Sequence, residues 1–129
     1  MKETSKFLIK KHDTPHPHYD LFLEVGNELR SWIVPTSIPT NISEKKVATE
    51  VDAPKQSLEE FEAQEVIEDA YGTGKTKLWD KGIYTLDSYK NIKIVFNSEG
   101  NKFKGSFLLH VPNWGRWTKK RLWTLEKIR

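Results

Sequence analysis

The sequence contains no cysteine. That excludes a disulfide framework and thiolate chemistry, and it suits a reducing compartment. No apolar run approaches the roughly 18 residues of a membrane helix. The opening residues, MKETSKF, lack the apolar segment of a signal peptide. A cytoplasmic protein without membrane association is therefore expected. No internal repeat or low-complexity tract is present. Gly72-Thr-Gly74-Lys75-Thr76 resembles a phosphate loop only superficially: it lacks the Gly-x4-Gly-Lys-Thr spacing, no helical pattern follows it, and a hairpin turn is the expected reading. No serine sits on a nucleophile elbow, so no Ser-His-Asp arrangement is indicated.

What is present points to one β-rich domain over residues 1–129. Hydrophobic residues make up 36% of the chain, with five Trp, six Phe and four Tyr, enough for a substantial core. Short alternating segments recur at hairpin spacing. Lys6 to Lys11 reads as a first strand. Pro15 and Pro17 make Asp13 to Pro17 a loop. His18 to Val25 and Glu28 to Val34 are strands about a Gly26-Asn27 turn. Lys45 to Val51 follows the break at Pro35 and Pro39. Ser57 with Glu60 predicts a capping box for one short helical turn. Tyr71 to Gly74 reads as a tight turn, then Lys75 to Asp80 and Ile83 to Leu86 as strands about Lys81-Gly82. Ile92 to Asn97, Phe103 to Val111 and Arg121 to Ile128 complete the set. The fold expected is mainly β: a small antiparallel barrel of about eight strands with one or two short helices.

Three of the four histidines fall in HDTPHPHYDLFLE, residues 12–24. On the second strand, Tyr19, Leu21 and Leu23 read as a core face. His18, Asp20 and Phe22 then share the other face. His12 reaches the same place across one short loop. Two imidazoles and a carboxylate suit a divalent ion with open positions; the alternative is the solvated polar side of a half-buried strand. Charge is also uneven. Residues 50–69 hold eight acids and one base, most simply a solvated face, and residues 102–129 hold eight bases and one acid. Basic residues interleaved with Trp114, Trp117 and Trp123 suit nucleic acid, or a solvated basic strand around core tryptophans.

Several of these pieces, in order, resemble the 3'-phosphoesterase domain of DNA ligase D. They are His12-Asp13, His18-Tyr19-Asp20, Leu23-Glu24, Ser31-Trp-Ile-Val-Pro35, Phe61-Glu62, Tyr71-Gly-Thr-Gly74, Leu78-Trp-Asp-Lys-Gly82, Lys104-Gly105 and Trp123-Thr-Leu-Glu-Lys127, spanning about residues 6 to 128. The resemblance implies a small β-barrel and a manganese-dependent enzyme that trims a 3'-ribonucleotide or 3'-phosphate from DNA, leaving a ligatable 3'-OH. It carries His12, His18 and Asp20 over as metal ligands. Mn²⁺ is the expected ion, with Zn²⁺ or another divalent ion as the alternative.

The pattern also departs from that family. Phe22 stands where the family has a phosphate-contacting arginine, Ala53 where it has a histidine, and Thr36 where it has a lysine, while Lys46 keeps a basic residue. Lost phosphate donors weaken catalysis, so low activity is expected, with His110, Lys10 and His16 as the available substitutes. Catalytic candidates are thus His12, His18, Asp20, Lys46 and His110. Nucleic-acid candidates are Lys10, Arg116, Lys119, Lys120, Arg121 and Lys127. The partner expected is a DNA primer-template or 3' end, with a separate ATP-dependent DNA ligase or polymerase alongside, and the protein a monomer. Alternatives are a degenerate member that binds DNA ends or a repair partner without cleaving, and a barrel of unrelated role.

Overall fold

Strand-forming alternation governs the chain in a computed structural model that describes residues 4–26, 28–52, 57–69, 72–113 and 121–129. β1 (Thr4–Asp13) pairs antiparallel with β2 (His18–Val25), which turns at Gly26, φ 61°, into β3 (Glu28–Val34). β4 (Lys45–Val51) follows the proline-interrupted loop. A helix, α1 (Leu58–Ala63), and a short strand, β5 (Val66–Asp69), lead into β6 (Gly72–Lys90). β7 (Lys93–Glu99), β8 (Lys104–His110) and β9 (Leu122–Lys127) complete the order. Hydrogen bonding runs β1-β2-β3-β4-β9-β8-β7-β6, and β6 returns to β1, so eight antiparallel strands close into a barrel. β5 is one extra strand on the edge of β6. The expected fold class holds.

Alternation also decides what lies inside. Phe7, Ile9, Leu21, Leu23, Trp32, Phe96, Phe107, Leu109, Trp123 and Leu125 project into one core. Trp32 and Trp123 meet edge to face at 5.5 Å, and Phe103 stacks on Phe107 at 4.1 Å, geometries that add to area burial. Two strands break the simple in/out rule: Leu8, Lys10 and His12 on β1, and His18, Asp20 and Phe22 on β2, are buried although they point away from this core. They are covered by the arm formed by α1 and β5. Leu58, Phe61 and Ile67 pack there against Leu8 and Phe22 as a second apolar cluster. The Ser57–Glu60 capping box starts α1 as expected, each side chain accepting the other's backbone N–H.

β6 corrects two expectations. Lys81-Gly82 is not a turn; β6 runs through it for 19 residues. Glycine is needed at position 82 because a Cβ would stand 3.0 Å from the Glu99 carbonyl and 3.1 Å from the Phe7 ring. Gly72 to Gly74 is likewise strand, paired with β5, and a Cβ on Gly74 would collide with the Asp13 carbonyl. Close backbone approach, not reversal, explains both glycines. The strand bends by register shifts beside Ile9/Lys10 and Leu86/Ser88.

Asp80 holds the turn between β7 and β8. Its buried carboxylate accepts the backbone N–H groups of Lys81, Asn101, Lys102 and Phe103 at 2.7–3.2 Å. Asp80→Ala strands one buried donor, the Phe103 N–H, and three partly buried ones; a buried donor left unsatisfied costs about 1–3 kcal/mol. A loss of about 3 kcal/mol or more is expected in urea unfolding, with an unchanged m-value. A loss below about 1 kcal/mol would show that water replaces the carboxylate.

Candidate metal centre

His12, at the end of β1, faces His18, at the start of β2, because the two are direct cross-strand partners. Their rings meet edge to face at 4.8 Å. Asp20 follows two residues after His18 on the same face and reaches both rings. Its Oδ2 lies 3.0 Å from His12 Nδ1 and its Oδ1 lies 3.1 Å from His18 Nε2. One potential ligand atom from each residue lies within 4.8 Å of the others. The exposures are 0%, 2% and 3% for His12, His18 and Asp20, which removes the solvated-strand alternative.

The backbone fixes which ring nitrogens carry hydrogen. His12 Nε2 lies 2.7 Å from the Ile67 carbonyl oxygen and 3.2 Å from that of Gly74. His18 Nδ1 lies 2.9 Å from the His16 carbonyl oxygen. A carbonyl oxygen only accepts, so those nitrogens are the donors. In the neutral rings, His12 Nδ1 and His18 Nε2 then present lone pairs toward Asp20. Two lone pairs and a carboxylate are three acceptors around one point. With those rings neutral, Asp20 Oδ2 has no hydrogen-bond donor among the described residues, although it is buried. This donor set fits a divalent cation, and outer carbonyls that lock the tautomer are the usual support of histidine ligands.

Lys10 lies on the same β1 face and is buried. Its Nζ donates to the carbonyls of Phe61, Glu62 and Gln64 at 3.0, 3.1 and 2.5 Å. These are the C-terminal carbonyls of α1, which has no basic residue in its own last turn. Burial pushes the Lys10 pKa down, opposed by the carboxylates of Glu62, Asp20 and Glu65. Thr76 adds a hydroxyl bond to Gln64 O at 2.8 Å and a backbone bond to Glu65 O. The chain then enters β5, where Ile67 offers its carbonyl to His12. Lys10→Met is therefore expected to loosen α1 and to lower divalent-ion affinity by about 10–100-fold, the usual effect of losing a ligand's outer support. Calorimetric titration with Mn²⁺ reads the affinity, and an unchanged value would separate the arm from the ligands.

The remaining candidates lie elsewhere. Lys46 and His110 do not join the cluster. They line a separate pocket of about 300 Å³ with Lys45, Val47, Pro112 and Thr124, on the β4, β9 and β8 wall. Burial and the nearby Lys93 push the His110 pKa down. Lys46 Nζ stands 3.5 Å from Glu44. Lys10 is committed to α1. Arg121 pairs with Asp52 at 3.1 Å, and Lys127 reaches the Thr40 carbonyl at 3.3 Å. Ala53, Arg116, Lys119 and Lys120 lie outside the described residues. Phe22 shares the face of His18 and Asp20, and it is buried beneath the arm. It stacks on Phe61 at 4.5 Å beneath α1. Sequence reading missed the arm's role; the only signal for it was the apolar triplet Leu58, Phe61 and Ile67 among the acids.

The fold and site together define a class: a closed antiparallel barrel with a buried His–His–Asp set on its outer wall, roofed by a helix and a short strand. Residues 10–111 match the DNA Ligase D 3'-phosphoesterase domain. The chain belongs to that family. It is 31% identical over 120 residues to the multifunctional non-homologous end joining DNA repair protein LigD of Mycobacterium tuberculosis, covering 90% of this chain and 16% of that protein. It is 26% identical over 129 residues to the LigD protein of Pseudomonas aeruginosa, covering 96% of this chain and 15% of that protein. It is also 25% identical over 128 residues to that of Mycolicibacterium smegmatis, covering 91% of this chain and 17% of that protein. The chain thus spans about a sixth of the length of the relatives it matches.

Proposed function

We propose that the protein acts on 3' ends of DNA during strand-break repair, as a phosphoesterase that uses a divalent ion held by His12, His18 and Asp20. The observation that supports this most directly is the buried convergence of His12, His18 and Asp20, with Asp20 Oδ2 left without a donor among the described residues, in a chain matching this family over residues 10–111. A bound ion would polarise a phosphoryl oxygen and lower the pKa of a water molecule. The chain's own part is positional. Ile67 and His16 hold the two imidazoles in one tautomer, and Asp20 supplies the negative charge. Mn²⁺ is the first ion to test. A separate ligase or polymerase is the partner class proposed.

One observation favours a second reading, in which the chain binds DNA ends but cleaves slowly or not at all. Catalytic ion sites keep an open position, whereas these ligands are at most 3% exposed, and the Phe22–Phe61 stack supplies apolar carbon where a phosphoryl group needs donors. The test is a time course on primer-templates ending in 3'-phosphate or one ribonucleotide, with and without Mn²⁺. Ion-dependent appearance of a 3'-OH supports the first reading. Tight binding without product supports the second. Neither binding nor product sinks both.

A further inference from the structure

The rim of the barrel where β1 meets β6 carries a second feature, on the strand face opposite His12. Lys11 is the direct cross-strand partner of Lys77, and Asp13 that of Lys75. On its other side Lys11 faces Tyr19. Directly opposed residues share a face, and Lys75 shares the parity of Lys77. The same inner face carries Phe7 and Ile9 deeper in the barrel, so the lysines stand where it runs out past the packed interior. Lys11, Lys75 and Lys77 are exposed, as is Lys102 from the turn after β7. Lys102 Nζ lies 5.2 Å over the Trp79 ring, and Trp79 meets Tyr19 edge to face at 5.8 Å. Trp79 is the residue inserted where the β1–β6 register shifts, between Asp80 opposite Ile9 and Leu78 opposite Lys10.

Among the described residues, four cations thus gather about one acid, Asp13. Like charges directly opposed across a ladder are destabilising. Several other exposed or partly exposed cations have matched acids, Lys6 with Glu59, Lys81 with Glu62, Lys46 with Glu44 and Arg30 with Glu50, whereas Lys90 and Lys93 are a second directly opposed pair. Among the described residues no ion pair reaches Lys11, Lys75, Lys77 or Lys102. Such a row is complementary to a polyanion with regularly spaced charges. Its position is informative too. Lys11 adjoins His12 in the chain, and Lys75 and Lys77 flank Thr76, the cross-strand partner of His12. The row and the ligand cluster use opposite faces of the same strand ends.

We propose that this lysine rim binds the sugar-phosphate backbone of a DNA strand, the strand whose 3' end is handled at the His12–His18–Asp20 cluster. The proposal rests on the function proposed above and names the surface that would hold the rest of that strand. The test is fluorescence anisotropy with a labelled 3'-overhang duplex, titrated at several salt concentrations, on the parent chain and on the triple variant Lys11→Gln, Lys75→Gln, Lys77→Gln. The triple variant is expected to flatten the log–log salt slope by about three and to weaken binding by at least about 10-fold. Lys77→Gln alone is expected to raise the melting temperature by about 1–3 °C while weakening binding, since it relieves the opposed charges. That opposite movement of stability and affinity rules out unfolding as the cause. Lys90→Gln with Lys93→Gln is the control, since those lysines are also directly opposed, at the β6–β7 turn. Binding by the triple variant equal to the parent overturns the rim while leaving the 3'-end reading intact, and so does an equal loss in the control. A parent that neither binds nor processes the primer overturns both.

Discussion

Asp20→Asn is expected to abolish divalent-ion binding and yet leave the ion-free protein as stable as the parent, or more so. In the parent Asp20 Oδ2 lies 3.0 Å from His12 Nδ1 and Oδ1 lies 3.1 Å from His18 Nε2, so with both rings neutral the carboxylate meets two imidazole lone pairs. An amide has nearly the same shape but adds two N–H donors. One of them can satisfy an imidazole nitrogen, which relieves an acceptor–acceptor contact in a buried, weakly screened place. The same change removes the charge that draws a cation. At a Mn²⁺ concentration of roughly 100 times Kd, binding stabilises the parent by about 2.7 kcal/mol; the variant should gain nothing. Paired thermal melts with Mn²⁺ and with a chelator read both effects. An Asn variant that keeps the ion-dependent shift, or that loses more than about 2 kcal/mol with chelator, would show that the cluster is a structural hydrogen-bond network.

The second large effect is at Phe22. By sequence alone, Phe22→Arg combined with Ala53→His is expected to restore phosphate donors and raise activity. The structure changes that expectation for position 22. Phe22 is 3% exposed, stacked on Phe61, and packed with Leu8, Leu58 and Ile67. Truncation to Ala should cost about 3–5 kcal/mol through lost burial and an unfilled cavity. An arginine side chain at this position would place a guanidinium beneath α1, and its hydration is worth more than one contact with Asp20 returns. Phe22→Arg is therefore expected to free the arm, visible as faster hydrogen exchange over residues 58–67, and to lose at least about 3 kcal/mol. Gain of activity with exchange and stability unchanged would show that the arm does not limit access to the site.

The legible parts of this molecule were those in which one face decides the structure. β2, β3 and β4 were readable because strand-forming residues over His18–Val25, Glu28–Val34 and Lys45–Val51 are bounded by Pro17, Gly26, Pro35, Pro39 and Pro54, although burial does not alternate along them. The three ligand candidates were readable because histidine is scarce and parity puts His18 and Asp20 together. Parity was incomplete at Phe22. It gave the right face, but a face covered by the α1–β5 arm has an apolar half as well as a polar one. β5 was hidden because its four residues mix two apolar side chains with two acids, too short for alternation to register. β6 was split at Gly82 because local sequence reads a glycine as a break. The real constraint was the Glu99 carbonyl and the Phe7 ring, both distant in the chain. Lys10 read as an outward cation because nothing local reveals three carbonyls arriving from residues 61, 62 and 64.

The pairing of β1 with β6 has a consequence for how the chain comes off the ribosome. β1 is made well before its β6 partner, which runs from Lys75 to Thr85, with Thr4 opposite Thr85 and Asp13 opposite Lys75. The hairpins β1–β2 and β2–β3 assemble locally and early. Until residue 85 has cleared the exit tunnel, β1 keeps one ladder edge open, and its Leu8 face waits for α1 and β5. Closing so long a loop demands roughly 4 kcal/mol of chain entropy before any contact across the seam offsets it. Shutting the barrel also waits for β9, made later still, to pair with β4, Lys45 to Thr49 against Glu126 to Leu122, so closure is the late and slow event of its biogenesis. During that interval the nascent chain presents an apolar edge to other chains.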